Sequence, residues 1–231
     1  MIKAVFIDID DTLLDFDAYV KQTMCEGFRH FGLKAYEPHM FTVFERINNA
    51  LWNNIEKGTL DFAGLEKIRF NKVFEALGIS FDGVTFEHYF RARIWDSAIL
   101  IDGTKEMLSY LSQKYIVCSA SNGPYEQQLH RLDVGGIKQY FDAHFISEKV
   151  GVSKPESAFF ERALAQLNRD KAEAIQPAEC IIIGDSLRSD IAGGIGAGFQ
   201  TVWYNRKRKE NTSGLCPDYE INKLIDIKEI L

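Results

Sequence analysis

Four short apolar runs alternate with helical stretches between residues 115 and 203, and a fifth run opens the chain. They are Lys3–Ile9, Tyr115–Ala120, Ala143–Ile146, Cys180–Ile183 and Gln200–Trp203. Each is continuously apolar rather than alternating, which is the pattern of a strand covered on both faces. Such strands belong to parallel sheets with helices packed on either side. The stretches Pro124–Leu132, Pro155–Leu167 and Ser189–Ala197 supply those helices, so right-handed βαβ crossovers and a three-layer α/β domain follow.

The interval from residue 10 to 114 breaks this rhythm, because a simple crossover needs only a few dozen residues. Helical periodicity runs through Tyr19–Phe31, His39–Lys57, Phe62–Leu77 and Thr85–Trp95, and Lys105–Lys114 leads back to the sheet. Gly32, Gly58, Gly78 and Gly103 stand where these helices would stop. The economical reading is an α-helical insert over residues 15–97, leaving 1–14 and 98–231 as the α/β core. Ligands of open α/β sheets bind beyond the carboxyl ends of the strands. An insert placed straight after the first strand would therefore cover the site.

Composition removes several functional classes. The chain of 231 residues is 46% hydrophobic, ample for a real core, and its 17 Phe residues call for an aromatic-rich core or pocket. A net charge of -6 argues against a protein that tracks nucleic-acid phosphates. No apolar run approaches the roughly 18 residues of a membrane span. The first run reaches a carboxylate at Asp8, too soon for a secretory signal. Cys25, Cys118, Cys180 and Cys216 form no CxxC pair, and the expectation is a reduced, cytoplasmic protein. The five histidines show no metal-ligand spacing, and Arg206-Lys207-Arg208-Lys209 reads as a solvated loop.

The strand ends carry the chemistry. The first run closes on Asp8-Ile9-Asp10-Asp11-Thr12, and strand periodicity sets Asp8 and Asp10 on one side. An acidic turn needs no function, since Asp and Thr are ordinary turn formers. Three carboxylates in four positions, however, are costly together unless something cationic sits among them. The fourth run closes on Gly184-Asp185-Ser186-Leu187-Arg188-Ser189-Asp190. Asp185 would emerge at the same sheet edge as Asp8, while Asp190 could be a plain helix cap. Two converging acidic strand ends suit a hard, oxygen-seeking cation such as Mg²⁺. The second run closes on Ser121-Asn122-Gly123-Pro124, either an anion cradle at a helix start or an ordinary cap. After the third run, Pro155 suits a first helical turn and would fix Lys154 at the helix entrance, pointing to the strand ends.

In this order and spacing the four segments resemble the motifs of the haloacid dehalogenase-like hydrolase superfamily: DxDx[TV], a strand ending in Thr or Ser, a lysine, and GDxxxxD. The resemblance spans essentially the whole chain. It implies a Rossmann-like core with a parallel sheet and a mostly α-helical cap domain, of the type placed between the first and second motifs. It further implies Mg²⁺-dependent phosphoryl transfer through an aspartyl-phosphate. Asp8 would be the nucleophile and Asp10 the acid/base. Ser121, Asn122 and Lys154 would hold the phosphoryl oxygens. Asp8, the backbone carbonyl of Asp10, and Asp185 would bind Mg²⁺, with Gly123 and Asp190 in support. Because Asp8, Asp10 and Asp185 are all present, the resemblance points away from the true dehalogenases, which act on carbon without Mg²⁺ and lack the second aspartate.

The substrate would be a small phosphorylated metabolite rather than a nucleic-acid polymer or a membrane, and the sequence specifies no oligomeric state. Ile47-Asn48-Asn49-Ala50-Leu51-Trp52, the later Arg69-Phe70, and Asp11 in place of the commoner Gly are similar to the pyrimidine 5′-nucleotidase branch. That likeness implies a nucleoside 5′-monophosphate, with Phe16 or Trp52 stacking on the base for about 1–3 kcal/mol. Packing inside the cap is an equally ready reading of both rings. The same motifs serve sugar-phosphate and phosphoglycolate phosphatases and phosphoglucomutase-like phosphotransferases. A regulatory protein on this scaffold would be expected to lack the nucleophile or the lysine, and neither is missing.

Overall fold

All 231 residues are described by a computed structural model, in which the chain divides into two compact units. One comprises Met1–Asp15 and Ala98–Leu231, the other Phe16–Ser97. Helices α1 (Phe16–His30), α2 (Pro38–Glu56), α3 (Phe62–Leu77) and α4 (Gly83–Ile94) make up the second unit. The first holds strands β1 (Ala4–Ile7), β2 (Ile116–Ser121), β3 (Ala143–Ile146), β4 (Cys180–Gly184), β5 (Gln200–Tyr204) and β6 (Tyr219–Ile221). Its helices are α5 (Thr104–Leu111), α6 (Tyr125–Val134), α7 (Ser147–Val150), α8 (Ser157–Leu167) and α9 (Ala192–Gly196).

The six strands form one parallel sheet in the order β3-β2-β1-β4-β5-β6. Alternate residues of β1 serve opposite faces, as a pleated strand requires. Val5 and Ile7 join Val117, Ile181 and Ile183 in a core completed by Met107, Leu108 and Leu111 of α5 and Leu132 of α6. Ala4 and Phe6 join Cys118, Cys180 and Ile182 beneath Phe159, Phe160 and Ala163 of α8. Burial on both faces is why these strands are continuously apolar. Cys118 and Cys180 are small core hydrophobes, and desolvation holds both thiol pKa values well above the ordinary range.

Strand order positions the site. β1 lies between β2 and β4, with Ile7 in register with Ser119 and Ile183. The ladder continues one step, as the Asp8 N–H donates to the Ile183 carbonyl at 2.9 Å. Asp8, Ser121 and Asp185 therefore leave neighbouring strands at the same edge of the sheet.

The core departs from the sequence reading at three places. A sixth strand, Tyr219–Ile221, pairs with β5, and the segment after it is a 3₁₀ turn over Leu224–Glu229. Pro155 lies outside α8, because a turn closed by the Glu156 N–H on the Ser153 carbonyl comes before the helix. The stretch from Ser189 is not one α-helix. A π-type turn over Leu187–Ile191 precedes α9.

The helical unit is where the phenylalanines gather. Phe28, Phe44, Phe70, Phe74, Phe86 and Phe90 are fully buried, and the Phe70 and Phe86 rings approach to 4.6 Å. Asp61 caps α3 by accepting from the Gly64 N–H, and Asp82 caps α4 through Val84 and Thr85. One ion pair is buried in this aromatic core. Arg69 donates to both Glu87 oxygens, at 3.0 and 2.5 Å, and to Asn48 Oδ1 at 3.1 Å, with its guanidinium 4.8 Å from the Phe90 ring centre. Asn48 and Arg69 are thus partners inside the unit. No helix of the chain is long and apolar enough to cross a membrane.

Candidate active site

Lys154 is the centre of the site. It is 1% exposed, and a buried ammonium is costly unless its hydrogens are all taken. They are taken here. Nζ donates to Asp8 Oδ1 at 2.7 Å, Asp190 Oδ1 at 2.5 Å and the Ala120 carbonyl at 2.6 Å. An ammonium has three donors, so this set fills it. The two carboxylates more than offset the desolvation that opposes the charge, and the Lys154 pKa is raised. Its backbone is set by Asn122, whose side-chain amide donates to the Lys154 carbonyl and accepts its N–H, both at 2.9 Å. That brace, rather than a helix entrance at Pro155, directs the lysine.

Asp8, 7% exposed, receives Lys154 on Oδ1 and the Thr12 hydroxyl on Oδ2 at 3.3 Å. Burial pushes its pKa up to about 7 against the opposing pull of Lys154, with smaller upward contributions from the nearby Asp190 and Asp10. The same Thr12 oxygen accepts the Asp185 N–H at 3.1 Å, coupling the two strand ends. Asp185 is held from the far side by the Trp203 indole N–H on its carbonyl at 2.9 Å. Its carboxyl pKa also lies well above the usual range, through burial and the nearby Asp11 and Asp8.

Asp190 is more than a helix cap. Its carboxylate takes Lys154 on one oxygen and the Ser186 N–H on the other, at 3.0 Å. Gly184 makes room for it, since a Cβ there would lie 2.2 Å from Asp190 Oδ2. Carboxylate oxygens of Asp8, Asp185 and Asp190 all fall within 4.8 Å of one another. Asp190 is the most enclosed of the three at 1% exposed, so Asp8 and the half-buried Asp185 are the more accessible donors for a cation. Two crowded carboxylates that hold protons this firmly lack positive charge, and an all-oxygen donor pair fits Mg²⁺.

The structure brings Asp8, Lys154, Asp185 and Asp190 into direct or near contact, with Ser121 joined to Asp10 through Gln128. The Gly123 N–H donates to Ser147 Oγ at 3.1 Å, so Asn122 and Gly123 both brace neighbouring backbone and side chain. Phe16 and Trp52 lie in the helical unit. Phe16 packs against Tyr19 and Phe90, and Trp52 stands edge-on to Phe62 at 5.4 Å.

Several functional neighbours escaped the sequence reading. Thr12 lay within the acidic motif, but nothing local told that its hydroxyl would link Asp8 to Asp185. Gln128 and Arg131 on α6 hold Asp10 from a helix face that read as ordinary. Arg206, taken for part of a solvated loop, is paired with Asp15 at 2.5 Å and Asp11 at 3.4 Å. The signal for this last pairing lay in Asp11 itself. Its φ of 60° is a left-handed backbone that Asp tolerates, and it turns the side chain toward the end of β5.

A parallel sheet with a buried lysine between strand-end carboxylates fits the motif resemblance read from the sequence, and known proteins bear it out. The family model for haloacid dehalogenase-like hydrolases matches residues 2–198, and the chain belongs to that family. The HAD-hydrolase YfnB of Bacillus subtilis is 31% identical over 99% of this chain and 95% of its own length. The solved structure of YfnB bound to magnesium superposes with a TM-score of 0.87, covering 100% of this chain and 98% of that one. The pyrimidine 5′-nucleotidase PynA of Streptococcus pneumoniae is 30% identical over 99% of this chain and 94% of its own. For the pyrimidine 5′-nucleotidase YjjG of Escherichia coli the figures are 29%, 98% and 96%.

Proposed function

We propose that this hydrolase is a cation-dependent phosphomonoesterase that carries the phosphoryl group on Asp8 and acts on a nucleoside 5′-monophosphate. The observation that carries the reading is the Asp8 carboxylate, buried at a strand end between the Lys154 ammonium and the Thr12 hydroxyl, with Asp185 beside it. An Asp8 oxygen attacks phosphorus, the ester oxygen leaves with its electron pair, and Asp10 supplies the proton that oxygen needs. Water then attacks the aspartyl-phosphate, giving its proton to Asp10, and inorganic phosphate departs with Asp8 restored. Ser121 holds a transferring oxygen as its charge develops, and the Lys154 ammonium, its hydrogens already taken, contributes its positive charge beside Asp8. Mg²⁺, held by Asp8, Asp185 and the Asp10 backbone carbonyl, would screen the repulsion between nucleophile and phosphate. The choice of nucleotide rests on the names of two relatives that match along nearly the whole chain.

The experiment is phosphate release from a panel of nucleoside monophosphates, sugar phosphates and phosphoglycolate, in chelator and with Mg²⁺ restored. Turnover should require the cation and be fastest with nucleotides. Preference for a sugar phosphate would move the substrate class, and silence across the panel with Mg²⁺ present would overturn the phosphatase reading.

A further inference from the structure

Asp10 does not stand free at the strand end. Gln128 Nε2 donates to its Oδ2 at 2.8 Å, and Arg131 Nη1 donates to its Oδ1 at 2.7 Å. Gln128 and Arg131 are three apart on α6 and so share a helix face. Each is only 1% exposed, whereas the Asp10 side chain is 31% exposed. The two holders are packed in place while the held group is partly exposed.

The amide orientation of Gln128 follows from its surroundings. Arg131 Nη1 donates to Gln128 Oε1 at 2.9 Å, and Nε2 faces two oxygens, Asp10 Oδ2 and, at 2.9 Å, Ser121 Oγ. Reversing the amide would set its oxygen against a carboxylate and its hydrogens against a guanidinium. The two Nε2 hydrogens therefore go to Asp10 and to Ser121. Ser121 Oγ accepts, and its one hydroxyl hydrogen is left to be donated elsewhere.

We propose that Gln128 and Arg131 form a positioning relay that sets the Asp10 carboxylate and turns the Ser121 hydroxyl into a donor for the transferring phosphoryl group. The relay rests on the phosphomonoesterase reading of the same site and adds to it. It ties the acid/base to a phosphate-holding hydroxyl through one amide, so both are aligned before substrate arrives. Such alignment matters because misplacing a reacting group by an ångström costs roughly a hundredfold in rate.

The test uses Gln128→Met, which keeps length and bulk but can neither donate nor accept as the amide does, beside Arg131→Lys. Single-turnover phosphorylation of Asp8 is followed with p-nitrophenyl phosphate and with a nucleoside 5′-monophosphate, in Mg²⁺, together with melting curves. A nitrophenolate leaves without a proton, whereas an alkoxide needs one from Asp10. The relay predicts a loss of about 10–100-fold for the nucleotide in Gln128→Met and a clearly smaller loss for the nitrophenyl ester. Arg131→Lys, which keeps a cation, should fall between that variant and wild type. Should the Arg131 variant fail to fold, the Gln128→Met ratio alone decides. A folded Gln128→Met that loses equally with both substrates, or loses nothing, overturns the relay while wild-type turnover keeps the phosphatase reading. A wild type that forms no phosphoenzyme with either substrate removes the phosphatase reading and the relay with it.

Discussion

Replacing Asp8 by Asn should abolish turnover, because an amide is a poor nucleophile, and should also make the metal-free protein more stable. Burial first, then repulsion from Asp190 and Asp10, pushes the Asp8 pKa from 3.8 to about 7 despite Lys154. The folded protein thus binds this proton more tightly than the unfolded chain. The stability it contributes is fully present below about pH 4 and is lost as pH rises through about 7. A difference of about three units, at 1.36 kcal/mol each, means that ionising Asp8 costs the fold about 4 kcal/mol at pH 8 and about 2 kcal/mol at pH 5. Asn has the same shape and nothing to ionise. In urea denaturation with chelator, the stability advantage of Asp8→Asn should widen by about 2–3 kcal/mol between pH 5 and pH 8. Mg²⁺ should then stabilise wild type more than the variant, since it binds the folded carboxylates. An advantage that stays constant with pH, or a wild type more stable than the variant at pH 8 in chelator, would refute this account of the site.

Gly184→Ala should drive Asp190 off Lys154, since the new Cβ would sit 2.2 Å from Asp190 Oδ2, and we expect a lowered melting temperature with severe loss of turnover. Glu87→Ala leaves the buried Arg69 guanidinium without its carboxylate and should cost about 3–5 kcal/mol in a denaturant titration. Burial, with nearby Lys138, holds the His144 imidazole below its usual pKa of 6.5, so the unfolded chain protonates first. Stability from His144 is present above pH 6.5 and lost as pH falls, and urea midpoints of His144→Gln should therefore drop less than wild type on acidification. Trp52→Ala should lower stability by about 2–3 kcal/mol while leaving the ratio of nucleotide to nitrophenyl turnover unchanged. A fallen ratio with unaltered melting would assign the ring to the substrate instead.

What the sequence determined by itself is local or repeats along the chain. Continuous apolar runs marked β1 to β5, because burial on both faces leaves no polar alternation. Helical periodicity and the stop glycines Gly32, Gly58 and Gly78 marked the insert, because a helix end is a matter of a few consecutive residues. Strand β6 was illegible, as three residues at a sheet edge with two of them exposed carry no apolar pattern. Asp8, Lys154, Asp185 and Asp190 were visible as residue types at strand ends. Their partners were decided only by tertiary structure. Lys154 is 146 residues from Asp8 and 36 from Asp190, and it meets both because the sheet order brings their strand ends together. Gln128 and Arg131 look like polar residues on an ordinary helix. They become the holders of Asp10, 118 and 121 residues away, only when α6 packs beside the end of β1. Arg206 reads as solvated until the left-handed turn at Asp11 presents a carboxylate to it. Periodicity belongs to neighbours in sequence, whereas a buried charge finds its partner through the packing of distant strands.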